Sequence, residues 1–357
     1  MADMEYRYLG NSGLQVSALS LGSWVTFGDQ VKEDLAYDLM KTAYAGGVNF
    51  FDCAEIYGGG VAETIMGKAI ARGIADGVWT REDLVVSTKL CFGDKSSTMP
   101  NRRGLSRKHL VQGMAASLRR LGLDYVDLVY AHRADENTPI AETVATFSAM
   151  IDRGQALYWG TSMWPAARIK AALAEAERTH RAPPVVEQPE YNLFTRPRVE
   201  VEYTPFTAVR GANHDPDGIE ATTVPKHTLG LTIWSPLADG VLTNKYAAGK
   251  APAGSRMALA RSANTSEALF RGKDRYKVEQ TAALAAAIPS LGLGGATPAQ
   301  LAVAWTVANP AVTSCILGAT SVKQLEETLA AMTLVPRLTP AVMAKIDGIM
   351  GTKPGQA

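Results

Sequence analysis

Asp52, Tyr57, Lys89 and His132 are the residues whose types and settings could do acid–base chemistry. Asp52 lies at the end of the apolar stretch Asn49-Phe50-Phe51-Asp52-Cys53, and Tyr57 follows it by five residues. Lys89 closes Val85-Val86-Ser87-Thr88-Lys89, and His132 follows Val126–Ala131. A carboxylate or ammonium at the end of an apolar strand is costly unless it is paired or used. As a pair, the two have a clear use. The ammonium stabilises a nearby phenolate, lowering a tyrosine pKa from its ordinary ~10, and the carboxylate keeps the lysine charged and oriented. A histidine at the same mouth can donate a hydrogen bond to a carbonyl oxygen. Singly, each residue has a plainer reading: a capping Asp, a packed loop Tyr, a structural ion pair, a satisfied His. Three such residues ending successive strands, with Tyr57 beside them, outweigh those readings.

The elements that must position these groups can be read from the apolar pattern. Short, nearly continuous apolar runs predict strands near Ala18–Leu21, Val48–Cys53, Leu84–Lys89, Val126–Ala131, Leu157–Thr161, Val185–Gln188, Leu231–Ser235 and Cys315–Gly318. Such runs suit parallel strands buried on both faces. Helices fit between them. Lys32–Ala45 has a periodic apolar face, and Ser106–Leu121 opens on a capping Ser and stops at Gly122. Pro139, Pro165, Pro298 and Ser321-Val322-Lys323-Gln324 mark further starts. Strands alternating with helices in this way predict a (β/α)8 TIM barrel, with an open doubly wound sheet as the alternative. The turn Leu9-Gly10-Asn11-Ser12-Gly13-Leu14 predicts an N-terminal β-hairpin that could cap the barrel floor. Long loops are expected on the C-terminal face, at the polar Phe206–Pro225 segment and at Ala247–Arg261. No linker divides residues 1–357, so one barrel domain is expected.

Bulk properties bound the function. The 357 residues are 46% hydrophobic with a formal net charge of +1, which argues against a nucleic-acid footprint or a polybasic membrane surface. Cys53, Cys91 and Cys315 form neither a disulfide framework nor a metal spacing. No signal peptide or bilayer-length apolar run is visible, so a cytoplasmic location is expected. Gly292-Leu293-Gly294-Gly295 follows a helical stretch and lacks dinucleotide-fingerprint spacing, so it reads as a helix terminus and turn.

In order and context, Asp52, Tyr57, Lys89 and His132 resemble the catalytic tetrad of the aldo-keto reductases. The resemblance covers nearly the whole chain and is nearest to the branch of voltage-gated potassium channel beta subunits and bacterial aldehyde reductases. Supporting stretches are 21–28, 158–162, Glu187-Gln188-Pro189-Glu190-Tyr191-Asn192, Trp234-Ser235-Pro236-Leu237-Ala238 and Leu317-Gly318-Ala319-Thr320-Ser321. The resemblance implies an NADPH/NADP+ site and no metal. Trp234 would stack on the nicotinamide, with Ser162 and Gln188 on its carboxamide and Ser23, Trp24 and Asp52 nearby. Ser235, Pro236, Leu237, Ala238 and Gly240 would line the pyrophosphate path. Lys245, Arg256, Gly318, Thr320, Gln324 and Glu327 would hold the adenosine end and its 2′-phosphate. The implied reaction is hydride transfer to an aldehyde or ketone with Tyr57 as proton donor. Trp24, Tyr57 and Trp164 would shape the pocket, although Trp24 and Trp164 could equally be core.

The chain departs from the pattern at Met163, where the wider superfamily often has Asn and the channel branch Arg, and Met cannot donate that hydrogen bond. Phe206–Pro225 is longer than the usual connection in the branch. His132 matches the bacterial reductases, whereas the mammalian channel subunits carry Asn there. Two other functions fit the resemblance: a channel-associated regulatory subunit with slow turnover, and an NAD-dependent dehydrogenase. The branch also implies a homotetramer.

Overall fold

A computed structural model describes residues 4–24, 26–28, 30–96, 98–207, 228–259 and 262–355. Most of the Phe206–Pro225 segment, residues 208–225, therefore lies outside the described residues. Two short strands, β1 (Tyr6–Tyr8) and β2 (Gln15–Ser17), pair antiparallel as a hairpin. Eight parallel strands then close into a barrel: β3 (Leu19–Gly22), β4 (Phe50–Asp52), β5 (Val85–Leu90), β6 (Val126–Ala131), β7 (Ala156–Thr161), β8 (Val186–Glu187), β9 (Gly230–Ile233) and β10 (Val312–Leu317). Each strand pairs with the next, and β10 returns to β3, with Cys315, Ile316 and Leu317 opposite Leu19, Ser20 and Leu21. The closed ring rules out the open sheet and removes every edge strand.

Helices α1 (Glu33–Ala45), α2 (Val61–Ala75), α3 (Arg107–Leu121), α4 (Ile140–Asp152) and α5 (Ala166–Arg178) follow β3 to β7 in turn. Behind β9 and β10 lie α6 (Ala263–Arg271), α7 (Arg275–Ala287), α8 (Pro298–Ala308), α9 (Val322–Leu329) and α10 (Pro340–Met350). Local chemistry sets their ends. Ser106 Oγ accepts from His109 N, and Gly122 terminates α3 at φ 64°. Thr297 and Gln300 form a reciprocal capping box with Pro298 at the first helical position of α8. Ser321 caps α9 through the Gln324 amide. Pro139 and Pro165 sit one residue earlier than Pro298, at the cap itself, where their extended backbone turns the chain into α4 and α5. Gly292 (φ 75°) ends a short 3-10 turn after α7, as a helix terminus should.

The main core lies between strands and helices, and a smaller core fills the barrel floor. There Leu9 and Val16 of the hairpin pack on Phe50, Val85, Leu128, Tyr130 and Val186. The hairpin thus plugs the end where the strands begin. Gly10 is required at its tip: with φ +55°, a Cβ would lie 2.2 Å from the Val185 carbonyl. With the floor sealed, the opposite face is left for chemistry.

Candidate active site

Seven of the eight barrel strands end at or beside a polar or aromatic residue singled out by its type, and β10 ends at Gly318. Ser23 follows β3, Asp52 ends β4, Lys89 lies at the end of β5, and His132 follows β6. Ser162, Gln188, Trp234 and Gly318 follow β7, β8, β9 and β10. Because parallel strands share one direction, these residues converge on one mouth.

Lys89 is the hub. It is 0% exposed, and its ammonium donates to Asp52 Oδ2 at 2.5 Å, to the Cys53 carbonyl at 2.7 Å and to Tyr57 Oη at 3.0 Å. Three donors meet three acceptors, so the buried charge is fully satisfied. Burial works against the ammonium, but the charge of Asp52 and the contact with Tyr57 outweigh it and hold its pKa above the ordinary lysine value. Asp52 is fixed in turn by Ser87 Oγ at 2.7 Å and by Gln188 Nε2 at 3.1 Å. Tyr57 reaches the mouth because the chain turns through Gly58 and Gly59, both at positive φ, before α2 begins.

The expected lowering of the Tyr57 pKa does not hold for the net value. Burial pushes the phenol up to about 12, and Lys89 offsets only part of that rise. The local effect of the ammonium has the expected sign, but desolvation of the phenolate is larger. The phenol therefore stays protonated at neutral pH.

His132 is buried against Tyr57 and Phe92, with ring centroids 5.8 Å and 5.1 Å away in edge-to-face geometry. Burial, then the charges of Lys89 and Arg133, push its pKa well below the ordinary histidine value, so the ring is neutral. Its Nδ1 is buried and has no hydrogen-bond partner among the described residues. An orphaned polar atom at a site mouth is a position waiting for a ligand.

The other expected positions divide into two groups. Ser162 and Gln188 are buried and mutually tied, with Ser162 Oγ donating to the Gln188 carbonyl at 2.9 Å. Ser23 Oγ donates to the Asp52 carbonyl at 3.0 Å. Trp24 is 40% exposed and packs on the edge of Trp234 at 5.5 Å, with Tyr57 6.4 Å away. Trp164 is instead core: it is fully buried, and its indole N–H goes to the Ala131 carbonyl.

Beyond β9, Ser235, Ala238, Asp239 and Gly240 take positive φ, and Pro236 and Leu237 lie between them. For a non-glycine residue this conformation costs ~1–2 kcal/mol, and such strain concentrates at ligand sites. Arg256 pairs with Asp239 at 2.9 Å and lies 4.4 Å over the Trp24 ring. Lys245 makes no ion pair among the described residues, and its Nζ lies where a Cβ on Gly240 would stand, 2.7 Å away. Gln324 accepts from Thr320 N and Oγ1, both at 3.0 Å, ahead of Glu327 on α9. Among the described residues, no hydrogen bond or ion pair joins the Thr320–Gln324 pair to Lys245 or Arg256. The strands that carry the two sets, β9 and β10, are neighbours in the barrel.

Several contributors carry weaker sequence signals. Ser87 shares a strand face with Lys89, so strand alternation could have found it. Glu55 accepts from Cys91 N and Gly93 N at 2.7 and 2.8 Å, tying the loop after β5 to the one after β4. Arg133 sits beside His132, donating to the His132 carbonyl and to Ser162 Oγ. Met163 takes φ 59°, and its thioether accepts from Glu190 N at 3.3 Å, so this side chain is engaged within the protein.

The model of the aldo/keto reductase family matches residues 18–350. A protein of Oryza sativa subsp. japonica named "Probable voltage-gated potassium channel subunit beta" is 46% identical over 351 residues, covering 98% of both chains. A protein of the same name from Arabidopsis thaliana is 44% identical over 351 residues, again covering 98% of both.

Proposed function

The chain belongs to the aldo/keto reductase family, and on that premise we propose that it reduces aldehydes and ketones to alcohols with NADPH, using Tyr57 as proton donor. The observation that carries this reading is the buried Lys89 ammonium held between Asp52 and Tyr57 Oη, beside a neutral His132 with an unpartnered Nδ1. The residues present also fit the dinucleotide. Trp234 and Trp24 offer partly exposed rings at the mouth. The left-handed turn at 238–240 and Lys245 beside it, with no ion pair among the described residues, suit a phosphate.

When bound, the cofactor supplies a hydride to the carbonyl carbon. The protein supplies position and field. Tyr57 Oη gives its proton to the carbonyl oxygen, and Lys89 Nζ stabilises the phenolate left behind. Asp52 and the Cys53 carbonyl keep that ammonium aimed at Tyr57. His132 donates an N–H to the same oxygen and, being neutral, orients it without surrendering a charge. A Tyr57 pKa near 12 keeps the phenol protonated at neutral pH, as a proton donor must be. Ser162, Gln188, Trp234, the 235–240 turn, Lys245, Arg256, Thr320, Gln324 and Glu327 would hold the cofactor. We place the protein in the cytoplasm, where its three free, buried cysteines need no oxidising compartment.

The test is a carbonyl panel, including methylglyoxal and nitrobenzaldehyde, with NADPH oxidation followed optically. Tyr57→Phe should lose roughly 10²–10⁴-fold in kcat, the usual worth of a positioned acid. Full activity in that variant would overturn the assignment. The names of the plant relatives favour a second role, as a partner of a potassium channel, and the resemblance to that branch implies a homotetramer. Light scattering on the purified protein tests the tetramer, and co-purification with a channel tests the partnership.

A further inference from the structure

We infer that Arg133 is a specificity-determining residue that selects carbonyl substrates carrying an anionic group. This deepens the proposed function and rests on it for the reaction, but not for the binding. Arg133 follows His132 directly, at the mouth end of β6. One guanidinium nitrogen, Nη1, donates to the His132 carbonyl and, at 3.3 Å, to Ser162 Oγ. Those two bonds fix the group beside the reaction centre. The N–H groups on Nε and Nη2 make no hydrogen bond among the described residues, and no carboxylate there lies within ion-pair distance of the guanidinium.

Arg81, Arg120 and Arg196 each meet a carboxylate within 3 Å, whereas Arg133, like Arg168 and Arg198, is anchored on backbone carbonyls. Arg133 is half-buried and meets no such carboxylate. Burial lowers its pKa, and Tyr57, Cys91 and Glu187 oppose that shift from a distance. A second guanidinium, Arg198, donates to the Met163 and Trp164 carbonyls just beyond Ser162 and adds positive potential to that side. Glu187 and Glu202 act on these charges only from a distance, and no carboxylate among the described residues is in ion-pair contact with Arg133. The available fork of N–H groups matches a carboxylate or a phosphate.

The neighbouring ring indicates what joins the anion to the carbonyl. Phe92 is 41% exposed, packs edge-on to His132, and has the Arg133 guanidinium 5.9 Å from its centroid. A substrate with its carbonyl oxygen at Tyr57 and His132 would run along Phe92 and end at Arg133. The chemical class is therefore a carbonyl compound with a short apolar or aromatic spacer and a terminal carboxylate or phosphate.

The probes are 4-formylbenzoate and its neutral methyl ester, assayed with NADPH on the full-length protein. Wild type should favour the acid over the ester in kcat/KM by about tenfold or more, the worth of one charge-assisted bond. Arg133→Met should collapse that ratio by roughly 10–100-fold, and Arg133→Lys should retain part of it. An acid-to-ester ratio of one or less in wild type, with no preference for 4-formylphenyl phosphate over the ester either, overturns the inference. So does an unchanged ratio in Arg133→Met with both substrates slowed alike, which would mark Arg133 as a support for His132 and Ser162 only. 4-Formylphenyl phosphate in the same assay separates a phosphate site from a carboxylate site: preference for either anion over the ester supports the inference, and preference for neither overturns it. An activity-free arm follows 4-(hydroxymethyl)benzoate by tryptophan fluorescence, where Arg133→Met should raise Kd about tenfold. If benzoate binds through Arg133 while no carbonyl is reduced, the reductase reading fails and this one stands. If carbonyls are reduced with no charge preference, the reverse holds. Arg133→Lys keeps the test open should Arg133→Met fail to fold.

Discussion

The Lys89 hub at the ends of β4 and β5 and the Lys245 turn beyond β9 are built in opposite ways. At the first, Lys89, Asp52, Tyr57, Ser87 and Gln188 are buried, and their polar bonds are made with one another. At the second, Lys245 has no ionic partner among the described residues, while Ala238, Asp239 and Gly240 hold left-handed backbone. The difference separates two tasks. A group that must act on a proton has to be preorganised before substrate arrives, because reorganisation during the reaction costs rate. A group that must capture an anion does better with its cation left open, since a resident carboxylate would have to be displaced.

The comparison breaks most sharply if the buried hub is not essential to the fold. Lys89→Met leaves the Asp52 carboxylate buried without its cation. It should destabilise the protein by about 3–5 kcal/mol, measured by urea denaturation. Adding Asp52→Asn should restore much of that loss, because the uncompensated charge is then gone. If Lys89→Met were as stable as wild type, the mouth would be wetter than its burial implies.

Within the fixed half, Glu187 sharpens the contrast with Asp52. Both are buried, but Glu187 meets Thr161 Oγ1 and the Tyr203 hydroxyl, with no cation in contact among the described residues. Burial raises its pKa from 4.5 to about 7, against the pull of the Thr161 hydroxyl, the Met163 and Trp164 backbone N–H groups and the Arg198 charge. The folded state therefore holds the proton more tightly than the unfolded chain. Its stabilising contribution is full below about 4.5 and is lost as pH rises through about 7. Between those two pH values the loss is on the order of 3 kcal/mol. Glu187→Gln should flatten the fall in stability between those two pH values in paired urea titrations. An identical pH profile in the variant would show that the carboxyl ionises freely.

The fixed half was also the half legible in the sequence. All eight barrel strands stand near the apolar runs that predict them, because parallel strands buried on both faces leave few polar residues to blur the run. For the same reason the polar residue closing each run stood out, as Asp52, Lys89 and His132 do. What the sequence could not convey depends on distance or on backbone. The rise in the Tyr57 pKa reflects how completely the mouth closes over the phenol. The left-handed φ at Met163 and Ala238 falls on residue types that ordinarily avoid it. Trp24 and Trp164 have the same composition signal, yet one lies at the mouth and the other in the core. Arg133 was hidden by its neighbour, since one more arginine in a loop carries no signal until its lack of a carboxylate is visible.

The open half is tested by the smallest of these effects. Lys245→Ala removes one cation that makes no ion pair among the described residues and only a 5.3 Å contact with the Tyr246 ring, so fold stability should change by less than about 0.5 kcal/mol. Its cost should appear in binding: Kd for NADPH should rise about tenfold, while Kd for NADH changes less, because the extra phosphate is the partner proposed for this ammonium. The salt dependence of NADPH binding should also become shallower, since one phosphate contact fewer is screened. Fluorescence titration with both dinucleotides at two ionic strengths measures all three. Equal losses for NADPH and NADH would move Lys245 from the 2′-phosphate to the pyrophosphate, where Gly240 already brings its Nζ against the left-handed turn. A loss of stability with no loss of affinity would instead make the two halves alike, and the division between a prebuilt acid and a waiting cation would fail.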